Sequence, residues 1–97
     1  MSNGNNGKEN RLVLFVCTGN MCRSPMAEYL LRQRLERSTS WEVASCGISA
    51  GSGFAPSENA VRALNELGIS MKMHRTQPLT RELAERATII VAMTVSH

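Results

Sequence analysis

The sequence contains no aspartate; its eight acidic residues are Glu9, Glu28, Glu36, Glu42, Glu58, Glu66, Glu82 and Glu85. Aromatic residues make up only 4% of it, as Phe15, Tyr29, Trp41 and Phe54. With 42% hydrophobic residues, the core must therefore be aliphatic. No apolar run approaches the length of about 20 residues that spans a bilayer, so no membrane partner is expected. The N-terminus lacks the charged-then-apolar plan of a signal peptide. The net charge is +3, but there is no long basic run and little aromatic interleaving. That excludes a dedicated nucleic-acid binder. There are only three cysteines, Cys17, Cys22 and Cys46. Without a secretory signal they point to a reducing compartment, the cytoplasm. Ninety-seven residues suffice for one small domain.

What is present is concentrated in one stretch, Val16-Cys17-Thr18-Gly19-Asn20-Met21-Cys22-Arg23-Ser24-Pro25-Met26-Ala27-Glu28. A continuous apolar run, Leu12 to Val16, precedes it and reads as a central parallel strand. A helical segment follows. The stretch thus lies where a strand ends and a helix begins, the usual ligand position of an open α/β sheet. Unpaired N–H groups and the helix dipole attract anions there.

The residue types in this loop suit a phosphate. Successive N–H groups, Thr18 to Arg23, can form a nest around a tetrahedral anion. Gly19 allows close backbone approach, and Asn20 tolerates a left-handed conformation. Pro25 fits the first helical position. Arg23 can hold two phosphate oxygens through its planar fork. Cys17 is placed at the bottom of the nest, where Arg23 and the N–H groups favour a nucleophilic thiolate. Ser24 can donate its hydroxyl to that sulfur.

Cys-x5-Arg-Ser with these flanks resembles the low-molecular-weight protein tyrosine phosphatases. The resemblance implies catalysis by Cys17, Arg23 and Ser24 through a cysteinyl-phosphate, with no metal and no cofactor. Phosphate would be bound by Thr18, Gly19, Asn20, Met21, Cys22 and Arg23. It also implies an α/β fold: a three-layer open parallel sheet with helices on both faces. His74-Arg75-Thr76-Gln77 before Thr80 looks like the family segment whose histidine buttresses the loop. His74 would then orient Asn20 and Ser24, beyond the first ring of phosphate contacts. Similar enzymes carry a cysteine at the place of Cys22. It would pair with Cys17 on oxidation and spare it from overoxidation; the plainer reading is a small buried side chain.

In chain order, residues 1–10 are Gly/Asn/Ser-rich and read as a disordered tail, with the phosphatase-like domain over 11–97. The first helix is expected over Pro25–Arg37. Ala27, Leu30, Leu31 and Leu35 would form its apolar face, and Glu28, Arg32 and Glu36 would form spaced pairs on the outer face. Arg32, Arg34 and Arg37 read as a solvated cluster, and Ser38–Ser40 as a turn. Trp41–Cys46 is a second strand, with Cys46 as packing. A Gly/Ser-rich loop follows, in which Phe54 is either a core anchor or a substrate wall. Ser57 caps a helix with the stripe Ala60, Val61, Leu64 and Leu67, ended by Gly68. Met71 and Met73 read as packing. Thr80 caps a short helix, Arg81–Arg86, and Thr88–Met93 is a third strand.

The resemblance reaches only the first two-thirds of the family pattern, and implies a domain incomplete at its C-terminal edge. The family's general acid is an aspartate of a later loop, a role that no residue here takes. Each glutamate has a surface, tail or strand-face reading. A chain ending after the third strand would expose that strand's outer edge. A fragment, a partner completing the sheet, and a swapped or homo-oligomeric arrangement all remain open.

The implied substrate is a phosphorylated protein, with inorganic phosphate or another oxyanion as ligand. Phosphotyrosine is the default. A similar branch hydrolyses phosphoarginine, toward which Cys17-Thr18-Gly19-Asn20 and Met93-Thr94 with His97 lean. Met21 leans back, being apolar like the tyrosine branch. Arsenate reduction needs further redox cysteines downstream, and none follows Cys46. A third reading is a catalytically impaired phosphate-binding or interaction module.

Overall fold

The computed structural model describes residues 11–35 and 40–93. The expected tail, the pairing of Arg32 with Glu36, Arg37, most of the Ser38–Ser40 turn, and Thr94 with His97 lie outside the described residues. Among the described residues, three strands and three helices follow in the order β1 (Arg11–Cys17), α1 (Arg23–Arg34), β2 (Trp41–Gly47), α2 (Glu58–Asn65), α3 (Arg81–Arg86) and β3 (Ile89–Ala92).

The sheet is parallel, in the order β2-β1-β3. Arg11 pairs with Trp41 through to Cys17 with Gly47, and Val13 with Ile89 through to Val16 with Ala92. The chain leaves central β1 first for one neighbour and later for the other. The carboxyl end of β1 is therefore the switch point of the sheet, where a crevice opens. β1 is an unbroken apolar run because both its faces are covered near β2. On one face Leu14, Val16 and Cys46 are buried with Ala44, Leu83 and Ala87. On the other lies α1, with α2 packed onto it through Ala60, Leu64, Ile69, Met71, Met26, Tyr29 and Val61. These are the three layers that the resemblance implied.

The caps follow the local chemistry. Ser57 Oγ accepts from Ala60 N–H at 3.2 Å, and Thr80 Oγ1 accepts from Leu83 N–H at 3.1 Å. Gly68 leaves α2 at φ +79°, a left-handed turn. That turn corrects the expected stripe: Ile69 N–H reaches back to Leu64 O and Ile69 is buried, while Leu67 is 64% exposed. Met71 is buried as expected, but Met73 is 84% exposed and packs nothing.

α1 departs most from its pattern. It begins at Arg23, so Pro25 sits third rather than first. A proline is tolerated there because first-turn N–H groups have no helical acceptor. The helix ends at Arg34, where Leu35 turns extended. Its buried residues are Ser24, Pro25 and Glu28, and Leu30 is exposed. A polar network beneath the helix, described next, selects that face.

Candidate active site

Residues Cys17 to Arg23 join β1 to α1 as a curl whose carbonyls are tied outward. Cys17 O accepts from Ile48 N–H, Thr18 O from Ser49 N–H, and Met21 O from Ser57 N–H, at 2.8–2.9 Å. Asn20 O accepts from His74 Nε2 at 2.9 Å, so that nitrogen carries the proton. Among the described residues, no acceptor is found for the N–H groups of Gly19, Met21 and Cys22. Among the described residues the single left-handed non-glycine residue is Asn20, at φ +59°. Gly19 has no positive φ, and a Cβ there would meet nothing within 4 Å. The close approach instead falls on Gly47. A Cβ there would lie 2.6 Å from Thr18 O and 2.9 Å from Asn20 N.

The curl encloses a pocket of about 230 Å³ lined by Cys17, Thr18, Gly19, Met21, Cys22, Arg23 and Met93. Buried Cys17 is its floor. Cys17 Sγ receives the Asn20 N–H at 3.2 Å and lies 2.9 Å from Ser24 Oγ. Asn20 Nδ2 donates to Ser24 Oγ at 2.9 Å. The one Ser24 proton therefore has two acceptors, Cys17 Sγ and, at 3.4 Å, Cys46 O. A thiolate would draw it to the sulfur. The Arg23 guanidinium makes no hydrogen bond or ion pair among the described residues. Burial, and then the neighbouring Cys17, pushes the Cys46 thiol up to about 11, so it stays protonated at neutral pH. Cys22, by contrast, is exposed.

Asn20 is completely buried and ties four segments together. Besides Ser24, its Nδ2 donates to Ser45 Oγ at 3.0 Å, and its Oδ1 accepts from Gln77 N–H at 2.9 Å. Ser45 Oγ in turn donates to Glu28 Oε1 at 2.6 Å. Gln77 Nε2 donates to Ser45 O, and Gln77 O accepts from Gly47 N–H. Glu28 is only 5% exposed, which corrects its expected place on the outer face. Arg32 Nη2 pairs with Glu28 Oε2 at 2.6 Å and also donates to Val43 O at 3.1 Å. A buried carboxylate persists when partnered in this way. Arg32 is therefore an anchor as well as a solvated charge.

His74 touches the loop through Asn20 alone. Among the described residues no bond joins it to Ser24 directly; Asn20 Nδ2 makes that link. Its other nitrogen lies 3.9 Å from Glu28 Oε1. Phe54 is 61% exposed, lies over Gly51 and does not line the pocket, so it is not a core anchor. The sequence reading gives Ser45 and Gly47 no part in the site, and names Gln77 and Met93 only within longer segments. Ser45 left one signal, a small polar residue inside an otherwise buried strand. Met93 enters that reading only as part of Thr88–Met93 and Met93-Thr94; its N–H donates to Val16 O at 2.7 Å, which carries the side chain beside the loop. Among the described residues, no group of three His, Cys, Asp or Glu side chains could hold a metal.

The close contacts at Gly47 define one expected result. Gly47→Ala would push Cβ into backbone atoms of the loop, costing about 1–3 kcal/mol as overpacking does. Urea unfolding measures this, and phosphate affinity should fall with it. A variant as stable as the parent would show that the loop does not depend on this approach.

A parallel sheet with a cysteine at the floor of an N–H-lined cradle and an arginine on its rim defines a class: α/β proteins with a thiol beneath the strand–loop–helix junction at the switch point of the sheet. Within that class the chain belongs to the low molecular weight phosphotyrosine protein phosphatase family, whose model matches residues 12–97. Its relatives include the probable low molecular weight protein-tyrosine-phosphatase EpsP of Ralstonia solanacearum. That protein is 45% identical over 83 residues, covering 86% of this chain and 55% of the relative. The protein-arginine-phosphatase of Bacillus subtilis is 44% identical over 86 residues, covering 88% of this chain and 57% of that one. Among solved structures, the YwlE arginine phosphatase from Geobacillus stearothermophilus superposes with a TM-score of 0.79. It is 43% identical, over 87% of this chain and 53% of that chain. The chain thus spans about half the length of the curated relatives it matches. Among the described residues, no helix is long and apolar enough to cross a membrane.

Proposed function

We propose that this protein is a protein phosphatase working through a cysteinyl-phosphate on phosphotyrosine. The observation that carries the reading is the floor of the pocket. There Cys17 Sγ meets the Asn20 N–H and the Ser24 hydroxyl, with Arg23 on the rim and unpaired among the described residues. The Cys17 thiolate attacks phosphorus, forming a P–S bond as the P–O bond to the substrate breaks. The leaving oxygen takes a proton from outside this constellation. Water then attacks phosphorus, the P–S bond breaks, and inorganic phosphate departs. The loop N–H groups and Arg23 hold the non-bridging oxygens throughout. Ser24 donates to sulfur and stabilises it as the second leaving group. Asn20 and His74 act through the loop, by fixing its shape.

The test is protection. Phosphate or vanadate should shield Cys17 from iodoacetamide. Arg23→Ala should remove the shielding, by loss of a charged hydrogen bond worth about 1.5–3 kcal/mol. Protection that is unchanged in Arg23→Ala would overturn this pose.

A second reading, phosphoarginine, draws on the likeness to the arginine phosphatase from Geobacillus stearothermophilus. Phosphotyrosine is preferred because Met21 and Met93 line the pocket and, among the described residues, no carboxylate does. Thioethers pack well against an aromatic ring, whereas a guanidinium would find no acidic partner. Activity on a phosphoarginine peptide above that on a phosphotyrosine peptide would reverse the choice.

Cys22 lies exposed at the start of α1, five residues from Cys17, and both thiols are free. Peroxide would convert the Cys17 thiolate to a sulfenic acid, and the Cys22 thiol would displace its oxygen as water, leaving a disulfide. Mild peroxide should therefore join the two reversibly, with a dithiol restoring both. A peptide map with Cys17 stably sulfinylated and Cys22 untouched would refute the pairing. Three free thiols suit a cytoplasmic protein.

A further inference from the structure

Sulfur is concentrated at the pocket beyond anything that oxyanion binding requires. The sequence holds six methionines and three cysteines among 97 residues. Yet four of the seven residues that line the pocket carry sulfur: Cys17, Met21, Cys22 and Met93. Separate parts of the fold bring them together. Cys17 ends β1, Met21 and Cys22 lie in the loop before α1, and Met93 directly follows β3. Both cysteines are free thiols, and Cys22 is exposed. Its side chain caps no N–H of α1, so its sulfur is not committed to the helix. Met21 is 42% exposed, which opens the group to solvent. The third thiol, Cys46, is buried with Leu14 and Val16 and lies outside the pocket.

We infer that Cys17, Met21, Cys22 and Met93 form a binding site for a soft monovalent metal ion, copper(I). Thiolate and thioether ligands select that ion. Zinc suits the site poorly. It takes closed sets of thiolate, imidazole and carboxylate ligands, and thioethers are not among them. Among the described residues, no third His, Cys, Asp or Glu joins the two cysteines. Charge points to the same ion. Each thiol releases its proton to solvent as its sulfur bonds the metal, and each thioether donates a lone pair and stays neutral. Two thiolates around one monovalent ion leave a single net negative charge. The pocket favours that charge, because the Arg23 guanidinium and the N–H groups of Gly19, Met21 and Cys22 have no other partner among the described residues. A divalent ion on the same thiolates would be neutral and would forfeit the attraction. Copper keeps its oxidation state throughout. The ion occupies the sulfur that would otherwise attack phosphorus, so metal binding and phosphoryl transfer exclude each other.

The inference does not depend on the phosphatase reading, and its test reads metal rather than turnover. The reduced chain, held free of oxygen, is titrated with copper(I) supplied as its acetonitrile complex, in competition with a copper(I) chelator, bathocuproine disulfonate. One ion should bind per chain, and X-ray absorption should show sulfur neighbours alone. Cys22→Ser alters an exposed side chain and should weaken binding by about a hundredfold or more. Met21→Leu combined with Met93→Leu nearly conserves volume and should weaken it by about tenfold or more. Circular dichroism checks that both variants are folded. Absence of binding by the parent would overturn the inference. So would parental affinity in either variant, or nitrogen and oxygen neighbours in the absorption spectrum of the loaded parent.

Discussion

Measured as kcat/KM, this chain is expected to cleave p-nitrophenyl phosphate about 10²–10⁴-fold better than a phosphotyrosine peptide, the usual range of a general-acid contribution. Tyrosine leaves as a phenolate of pKa about 10, so its departure demands a proton in the transition state. A nitrophenolate is a far weaker base and leaves without that help. Among the described residues no carboxyl group lines the pocket, and the sequence has no aspartate. Glu28 lies nearest in the network, but its oxygens are engaged by Ser45 and Arg32 beneath the loop. Glu58 and Glu82 lie in the first turns of α2 and α3, and Glu42 pairs with Arg86. Cys17→Ser should abolish turnover of both substrates, because a serine hydroxyl there lacks the low-energy anion that a thiol provides. Comparable rates on the two substrates would sink the argument, since a proton donor would then be at hand.

Asn20→Ala should destabilise the fold by roughly 3–5 kcal/mol, in the upper range of single substitutions. Three side-chain hydrogen bonds disappear at once. Ser24 Oγ and Ser45 Oγ each lose a donor in a buried setting and the Gln77 N–H loses its acceptor in a half-buried one, at up to about 1–3 kcal/mol for each group. Partial rearrangement keeps the total below the simple sum. Alanine must also adopt φ +59°, which costs about 1–2 kcal/mol more than a right-handed conformation. Asn20→Gly removes that strain but not the lost bonds, so it should recover only the smaller part. Urea unfolding of the two variants separates the contributions. An alanine variant within about 1 kcal/mol of the parent would mean that the loop holds its shape without this network.

The local chemistry of the loop was legible because it is written in adjacent residues. The apolar run before Cys17, the left-handed tolerance of Asn20, and the caps Ser57 and Thr80 each depend on a few neighbours in sequence. The edges of the elements were less legible. Met93 N–H and Thr88 N–H extend the ladder one residue beyond β3 at either end, so the expected Thr88–Met93 strand and the observed Ile89–Ala92 differ only in naming the ends. The face of α1 was not legible at all. Leu30 and Leu31 had the right spacing for a core stripe, yet Ser24 and Glu28 occupy the buried side.

Sequence alone determined the parallel α/β framework and the strand–loop–helix junction that can hold an oxyanion near Cys17. Periodicity, capping and the Cys-x5-Arg-Ser spacing are short-range properties. Tertiary structure alone decided what supports that junction. Ser45 comes from β2, His74 and Gln77 from the segment before α3, and all three converge on Asn20 from 25 to 57 positions away. A buried polar group must find its partners wherever the fold brings them. Asn20 therefore fixed which face of α1 turned inward, and an apolar spacing pattern carries no information about that demand.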